Sequence, residues 1–289
     1  MKYRYKLLST TKIIGIISLI STFTNPLYSN SANHSLILKS DGSLHTFGLN
    51  SFGQLGDGST TDRNTPTQIL PSGVSQIAGS VFHSMVLKSD GSLHTFGYNG
   101  NGQLGDGTTI QRNTPTQILA SGISQIAAGL TFSLILKSDG SLHSFGNNTN
   151  GQLGDGSTTT RNTPTQILAS GVSQIAAGGG HTLILKSDGS LHTFGNNTNG
   201  QLGDGSTTQR NTPTQILASG VAQIAADSSH SLILKSDGSL HTFGRNNYGQ
   251  LGDGSTTTRN TPTQILASGV SQIAAGYSHS LILKADGSL

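Results

Sequence analysis

The hexapeptide Gly53-Gln54-Leu55-Gly56-Asp57-Gly58 returns at 102–107, 151–156, 200–205 and 249–254, each copy 49 residues after the last. Two more motifs keep the same register: Asp-Gly at 41–42, 90–91, 139–140, 188–189, 237–238 and 286–287, and Thr-Pro-Thr-Gln-Ile-Leu at 65–70, 114–119, 163–168, 212–217 and 261–266. A single fixed period of this length restricts the chain to a tandem array, a propeller or a solenoid, because each unit can cover its apolar face only with its neighbour.

Within one unit, Ser35-Leu36-Ile37-Leu38-Lys39 and Ser43-Leu44-His45-Thr46-Phe47 flank Ser40-Asp41-Gly42. Two short apolar runs joined by Asp-Gly read as a β-hairpin, since glycine supplies the positive φ of a tight turn. Gly48 through Gly58 is too rich in Gly and Asn for regular structure, and a threonine-rich stretch follows to Arg63. Pro66 then opens a strand over Thr67-Gln68-Ile69-Leu70, at a sheet edge because proline cannot donate to a ladder. Val74-Ser75-Gln76-Ile77-Ala78 is predicted as a fourth strand. Four short strands per repeat and no helical period describe an all-β propeller blade.

Of the 16 Lys and Arg, Lys2, Arg4, Lys6 and Lys12 precede the first repeat, so the array itself is close to neutral against 13 Asp. A nucleic-acid binder needs a basic stripe, which this array lacks. The early positive charge belongs to a leader: a basic start, the apolar run Ile13–Ile20, then the small polar residues Tyr28-Ser29-Asn30-Ser31-Ala32. This is the pattern of a secretory signal over residues 1–32, with the repeats occupying 33–289. The apolar run is shorter than the roughly 20 residues of a membrane span. The expected location is therefore secreted, periplasmic or cell surface, with no membrane span after cleavage.

The order Gly-x-Asn-x-x-Gly-Gln-Leu-Gly, Pro, then Gln-Ile-Ala-Ala-Gly-x-x-His-Ser-Leu-x-Leu-Lys-x-Asp-Gly resembles the repeat of the regulator of chromosome condensation family over residues 34–289. The resemblance implies a seven-bladed β-propeller. The family's usual Tyr-x-Trp-Gly at the hairpin end is replaced here by His45 and Phe47, and by His94 and Phe96. From His34 to Leu289 there are 256 residues, five full repeats and part of a sixth. Both ends offer the same hairpin instead of complementary strands, so the reading is a propeller lacking about two blades, a monomer when complete, with a smaller closed ring as the alternative.

Chemistry is hard to place on this frame. Each Gly-Asp-Gly loop carries one carboxylate (Asp57, Asp106, Asp155, Asp204, Asp253), whereas a calcium loop concentrates several oxygen ligands. A structural turn is the better reading. His34, His83, His181, His230 and His279 precede the first hairpin strand, and His45, His94, His143, His192 and His241 lie in the second; members of each set belong to different blades, and Phe132 replaces one. They read as hydrogen-bonding residues, with no metal or cofactor expected. General acid and base work needs groups in unlike environments, while here titratable groups are copied in one setting, so no catalysis is expected.

The repeats differ from one another mainly in three places: the triplet before the first hairpin strand, the residues after the second, and the threonine-rich stretch around Asp62, Ile110, Gln111 and Gln209. Antiparallel pairing puts the first two sets at one end of the blades and the Asp-Gly turns at the other. Variation confined to one rim is how repeat proteins build a binding surface. Leu49, Phe52, Val81, Phe82, Tyr98, Leu130, Arg245, Tyr248 and Tyr277 are the candidate partner-binding residues, their aromatics favouring a protein partner, or a glycan, over drifting loops. The resemblance implies two alternatives: an exchange factor-like effector acting on a small GTPase, and a secreted inhibitor of the β-lactamase-inhibitor type. The absence of tryptophan argues against the family's ultraviolet photoreceptor.

Overall fold

The computed structural model describes residues 28–30 and 33–289. The expected leader over 1–32 lies outside them except for Tyr28–Asn30. Regular structure among the described residues is entirely β-strand.

The first sheet contains β1 (Tyr28–Asn30), β2 (His34–Leu38), β3 (Leu44–Gly48) and β4 (Arg63–Leu70), in that order. The second contains β5 (Val74–Gly79), β6 (His83–Lys88), β7 (Leu93–Gly97) and β8 (Arg112–Leu119). The same plan gives β9 (Ile123–Ala128), β10 (Phe132–Lys137), β11 (Leu142–Gly146) and β12 (Arg161–Leu168), then β13 (Val172–Ala177), β14 (His181–Lys186), β15 (Leu191–Gly195) and β16 (Arg210–Leu217). A fifth sheet holds β17 (Val221–Asp227), β18 (His230–Lys235), β19 (Leu240–Gly244) and β20 (Arg259–Leu266), followed by a pair, β21 (Val270–Gly276) and β22 (His279–Lys284). Every pairing is antiparallel, as in a meander. The first strands β5, β9, β13, β17 and β21 touch one another in succession, so they lie innermost and the proline strands form the outer edge.

Two expectations from the sequence are corrected here. The run Val74–Ala78 does not finish the blade before it but opens the next one, because the proline strand β4 stays at the edge of the first sheet: β5 forms its ladder with β6, Ile77 opposite Val86, while Val74 N reaches back to the Gly42 carbonyl at 3.0 Å. The proline strand starts at Arg63, three residues before Pro66. Thr67 pairs with Thr46 and Arg63 with Gly48, so the stretch between them bulges opposite Phe47, and the missing proline N–H interrupts no ladder bond.

The blades cohere by one junction repeated along the chain. Leu36, Leu38 and Leu44 on one face of the first blade meet Ile77, Val86 and Phe96 of the second in one buried cluster. The Gly-Gln-Leu-Gly-Asp-Gly segment is the latch. Leu55 is buried, Gly56 lies against the Phe96 ring of the next blade, and Gly58 N donates to the Asn113 carbonyl at 2.9 Å. Gly105, Gly154 and Gly203 face Phe145, Phe194 and Phe243 in the same way. Full burial of each phenylalanine contributes roughly 1.5–3 kcal/mol. Beside Gly252 no ring follows, and a cleft of about 410 Å³ lined by Leu240, Leu251, Ile265 and Ile282 occupies that place.

A second device links the blades. The Ser84 hydroxyl donates to the Gln54 carbonyl at 2.8 Å, which uses its one proton, so His34 Nε2 donates to Ser84 Oγ at 2.8 Å. His83 reaches Ser133, His181 reaches Ser231 and His230 reaches Ser280 by the same relation, 50 residues on. Where Phe132 replaces the histidine, the partner position holds Thr182, whose hydroxyl still donates to the Gln152 carbonyl at 2.9 Å.

Candidate binding rim

The loops before the second strand and after the third strand of each blade emerge at one end, as Tyr98 N to the Phe82 carbonyl (2.9 Å) and Arg245 N to the Ser229 carbonyl (2.9 Å) show. The Asp-Gly turns close the other end: Gly42 N donates to the Lys39 carbonyl, and Asp41 Oδ1 accepts from Ser43 N at 2.9 Å. The threonine-rich stretch, whose direction the sequence left open, belongs to the rim. Asn50 N donates to Asp62 Oδ1 at 2.8 Å and Asn50 Nδ2 to the Thr61 carbonyl at 3.1 Å.

Beneath the rim, each Gly-Asp-Gly carboxylate is a fixed structural group. Asp155 Oδ1 accepts from Asn148 Nδ2 (3.0 Å), Ser157 N (3.0 Å) and Ser157 Oγ (2.8 Å), and Oδ2 sits 2.7 Å from Arg161 Nη2. Burial alone pushes the Asp155 carboxyl up, but the Ser157 and Arg161 hydrogen bonds outweigh it and hold it below the usual carboxylate range. The same cage surrounds Asp57, Asp106, Asp204 and Asp253. Its role is to pin the asparagine that carries the rim loop. The histidines before each hairpin lie just inside and are held neutral by burial: His83 and His181 are lowered to about 3, His34 and His230 to about 4. Nδ1 of His181 and of His230 has no hydrogen-bond partner, which leaves an added proton there without an acceptor.

The variable positions converge at the junctions between blades. Phe52 from the first blade meets Phe82 and Tyr98 from the second, with ring centroids 5.8, 5.0 and 5.9 Å apart, in tilted and edge-on contacts. The 49-residue period carries this three-residue site to every junction. It becomes Asn101, Thr131 and Asn147, where Asn147 Nδ2 donates to Asn101 Oδ1 at 3.3 Å. Next come Asn150, Gly180 and Asn196, where a β-carbon on Gly180 would lie 3.5 Å from Asn196. Asn199, Ser229 and Arg245 follow, then Tyr248 with Ser278. The rim therefore runs from an aromatic site through amides to a guanidinium, and Arg245 Cζ lies 5.2 Å from the centre of the Tyr248 ring.

Of the nine candidate residues, the structure brings together Phe52, Phe82 and Tyr98 in one cluster and Arg245 with Tyr248 in another. Leu49 holds the position of Tyr98 and Arg245 in the first blade and is half-buried. Val81, Leu130 and Tyr277 occupy the middle of the preceding triplet, a second line along the rim; Leu130 is 38% and Tyr277 59% exposed. Phe82 and Tyr98 are only partly exposed, because their rings cover one another. Sequence reasoning missed Asn101, Asn147, Asn150, Asn196 and Asn199 as members of the same site. The signal was available in the constant spacing of 30 and then 16 residues between members, and became visible only once the hairpin phase was known.

The chain matches the Regulator of chromosome condensation (RCC1) repeat at residues 41–87, 90–136, 139–185, 188–234 and 237–283. It belongs to that family. A second RCC1 repeat description matches at 74–103, 123–152, 172–201 and 221–250. Among solved structures, human WBSCR16 is similar at 26% identity with a TM-score of 0.78, over 89% of this chain and 71% of that one. Prp20p from Saccharomyces cerevisiae, described with its binding to Gsp1p and histones, is 22% identical with a TM-score of 0.76, over 86% and 66% of the two chains. Yeast RCC1 (Prp20) bound to Kap60 is 24% identical with a TM-score of 0.77, over 90% and 68%. No curated protein matches. The all-β blade architecture read from the period is that of these RCC1 propellers, and no helix among the described residues is long and apolar enough to cross a membrane.

Proposed function

We propose that this chain is an exported, non-enzymatic RCC1-repeat propeller that binds a protein partner through the junction rim. The observation that carries the reading is the recurring three-residue site. Its frame of Asp cage, latch and histidine is copied with almost no change, while its contents change from Phe-Phe-Tyr to Asn-Thr-Asn to Asn-Ser-Arg. Neutral drift would change exposed positions singly, whereas here three residues from two blades change together into one aromatic cluster. Aromatic residues and arginine are the types that dominate interface hot spots. Export is supported by the leader pattern, and amino-terminal sequencing of chain recovered outside the cytoplasm tests it, with a start near residue 33 expected.

Capture of partners from an extract of the source cells or their surroundings tests the binding role. Phe52→Ala combined with Phe82→Ala should remove a captured protein, while Ser89→Lys and Ser187→Lys at the opposite turns should leave it. Equal capture by all variants would overturn the reading.

The binding of Prp20p to Gsp1p favours a second reading, an exchange factor-like effector on a small GTPase. Acceleration of labelled nucleotide release from small GTPases by this chain would support it over a passive scaffold.

A further inference from the structure

We infer that the rim has an anion subsite at the junction between the fourth and fifth blades, and that the partner segment seated there is an acidic peptide whose carboxylate meets Arg245. The inference rests on the rim reading above and names the chemistry of the partner.

Charge placement carries the argument. The arginines Arg63, Arg112, Arg161, Arg210 and Arg259 are each bound to the Asp of their own loop at 2.6–2.7 Å. The lysines Lys39, Lys88, Lys137, Lys186, Lys235 and Lys284 sit at the far end of the strands, by the Asp-Gly turns. Arg245 is the one arginine among the described residues without an ion pair, and it stands on the rim. Asp62 is taken by Asn50 N, and Asp227, in the same blade as Arg245, caps Ser228 N and faces His279. No carboxylate is therefore set against the guanidinium.

Geometry adds to the charge. The Arg245 guanidinium carbon lies 5.2 Å over the Tyr248 ring, a cation–π contact, and a guanidinium offers a carboxylate a bidentate pair of N–H donors. Asn199 and Ser229 hold the other two positions of this junction, and Arg245 N donates to the Ser229 carbonyl at 2.9 Å. A peptide fits better than a sugar. At this site the nearby Tyr248 ring already carries Arg245, and a neutral sugar brings no charge to match the guanidinium, as a carboxylate side chain does. Two junction sites of opposite character on one rim suit an extended segment with an apolar side chain at one end and an acidic one at the other.

Selection of a displayed random peptide library on the immobilised full chain tests this directly. Selected peptides should be enriched in Asp and Glu, and the best of them should bind roughly tenfold more weakly after Arg245→Gln, with partial retention in Arg245→Lys. Changing the peptide's own Glu to Gln should cause the same loss in the parent protein and no further loss in Arg245→Gln. Salt at about 0.5 M should weaken the parent interaction and not that of the variant. Peptides without acidic enrichment, or unchanged binding by Arg245→Gln, overturn the subsite. If Phe52→Ala with Phe82→Ala abolishes binding while Arg245→Gln does not, the rim reading stands and the anion subsite falls. If neither variant changes binding, both fall. Acidic polysaccharide bound through Arg245 in place of any peptide would overturn the peptide assignment.

Discussion

Gly56 lies against the ring of Phe96 on the following blade, and a β-carbon at Gly56 would stand 2.8 Å from Cε2 of that ring. The glycine also has φ of +74°, so two independent requirements fall on one residue. The repeated motif is a contact between blades before it is a turn.

The first prediction follows from that contact. Gly105→Ala should destabilise the protein by roughly 2–4 kcal/mol, because it combines a left-handed φ of +76° with a β-carbon 2.7 Å from Phe145 Cε2. Gly171→Ala has a similar φ of +83° with nothing within 4 Å, so it should cost only about 1 kcal/mol. Denaturant midpoints of the two variants measure the difference; equal losses would mean the junction yields to the extra methyl.

Acid sensitivity is the second. His83 and His181 are lowered to about 3, and His34 and His230 to about 4, while the unfolded value is near 6.5. Below pH 6.5 the unfolded chain takes up protons that the folded chain refuses, so stability is full above that pH and falls as pH drops toward the folded values. The loss should be on the order of 1 kcal/mol per histidine between pH 6.5 and 5. The double change His181→Phe with Ser231→Thr copies the natural Phe132 and Thr182 pair and should remove one proton from the slope of stability against pH. An unchanged slope would dissociate the histidines from the acid transition.

Asp155 supplies the third. Asp155→Ala removes an acceptor shared by Asn148 Nδ2, Ser157 and Arg161, while the buried Asn148 Nδ2 keeps the Ser157 and Thr159 carbonyls at 3.1 Å. The expected loss is roughly 1–2 kcal/mol, set by the hydrogen bonds that Ser157 and Asn148 lose more than by the half-exposed arginine. Arg161→Ala should cost less, and thermal unfolding of both variants orders them.

A fourth prediction separates the rim residues by packing. Phe82→Ala breaks two ring contacts and should cost about 1–3 kcal/mol, whereas Tyr277→Ala, 59% exposed, should stay within about 0.5 kcal/mol. Chemical denaturation distinguishes them, and equal effects would contradict the aromatic cluster.

The period of 49 residues, the Asp-Gly hairpins and the edge proline determined by themselves that this chain is a β-propeller array with its variable loops at one end. These features are local: hairpin turns demand glycine within a few residues, and a repeat that cannot cover its own apolar face must stack. Tertiary structure alone decided how blades are joined. Val74–Gly79 pairs forward with β6 although Val74 N also reaches back to the Gly42 carbonyl, a choice between two neighbours that alternation in the strand does not encode. The His34 and Ser84 pair, and the meeting of Phe52 with Phe82 and Tyr98, span two blades, so the residues concerned are distant in sequence and take on meaning only when the sheets are set side by side. Sequence supplies each blade with its own strands and turns, but the contents of a junction depend on two blades at once, and that is where both the stability of the array and its candidate binding sites are built.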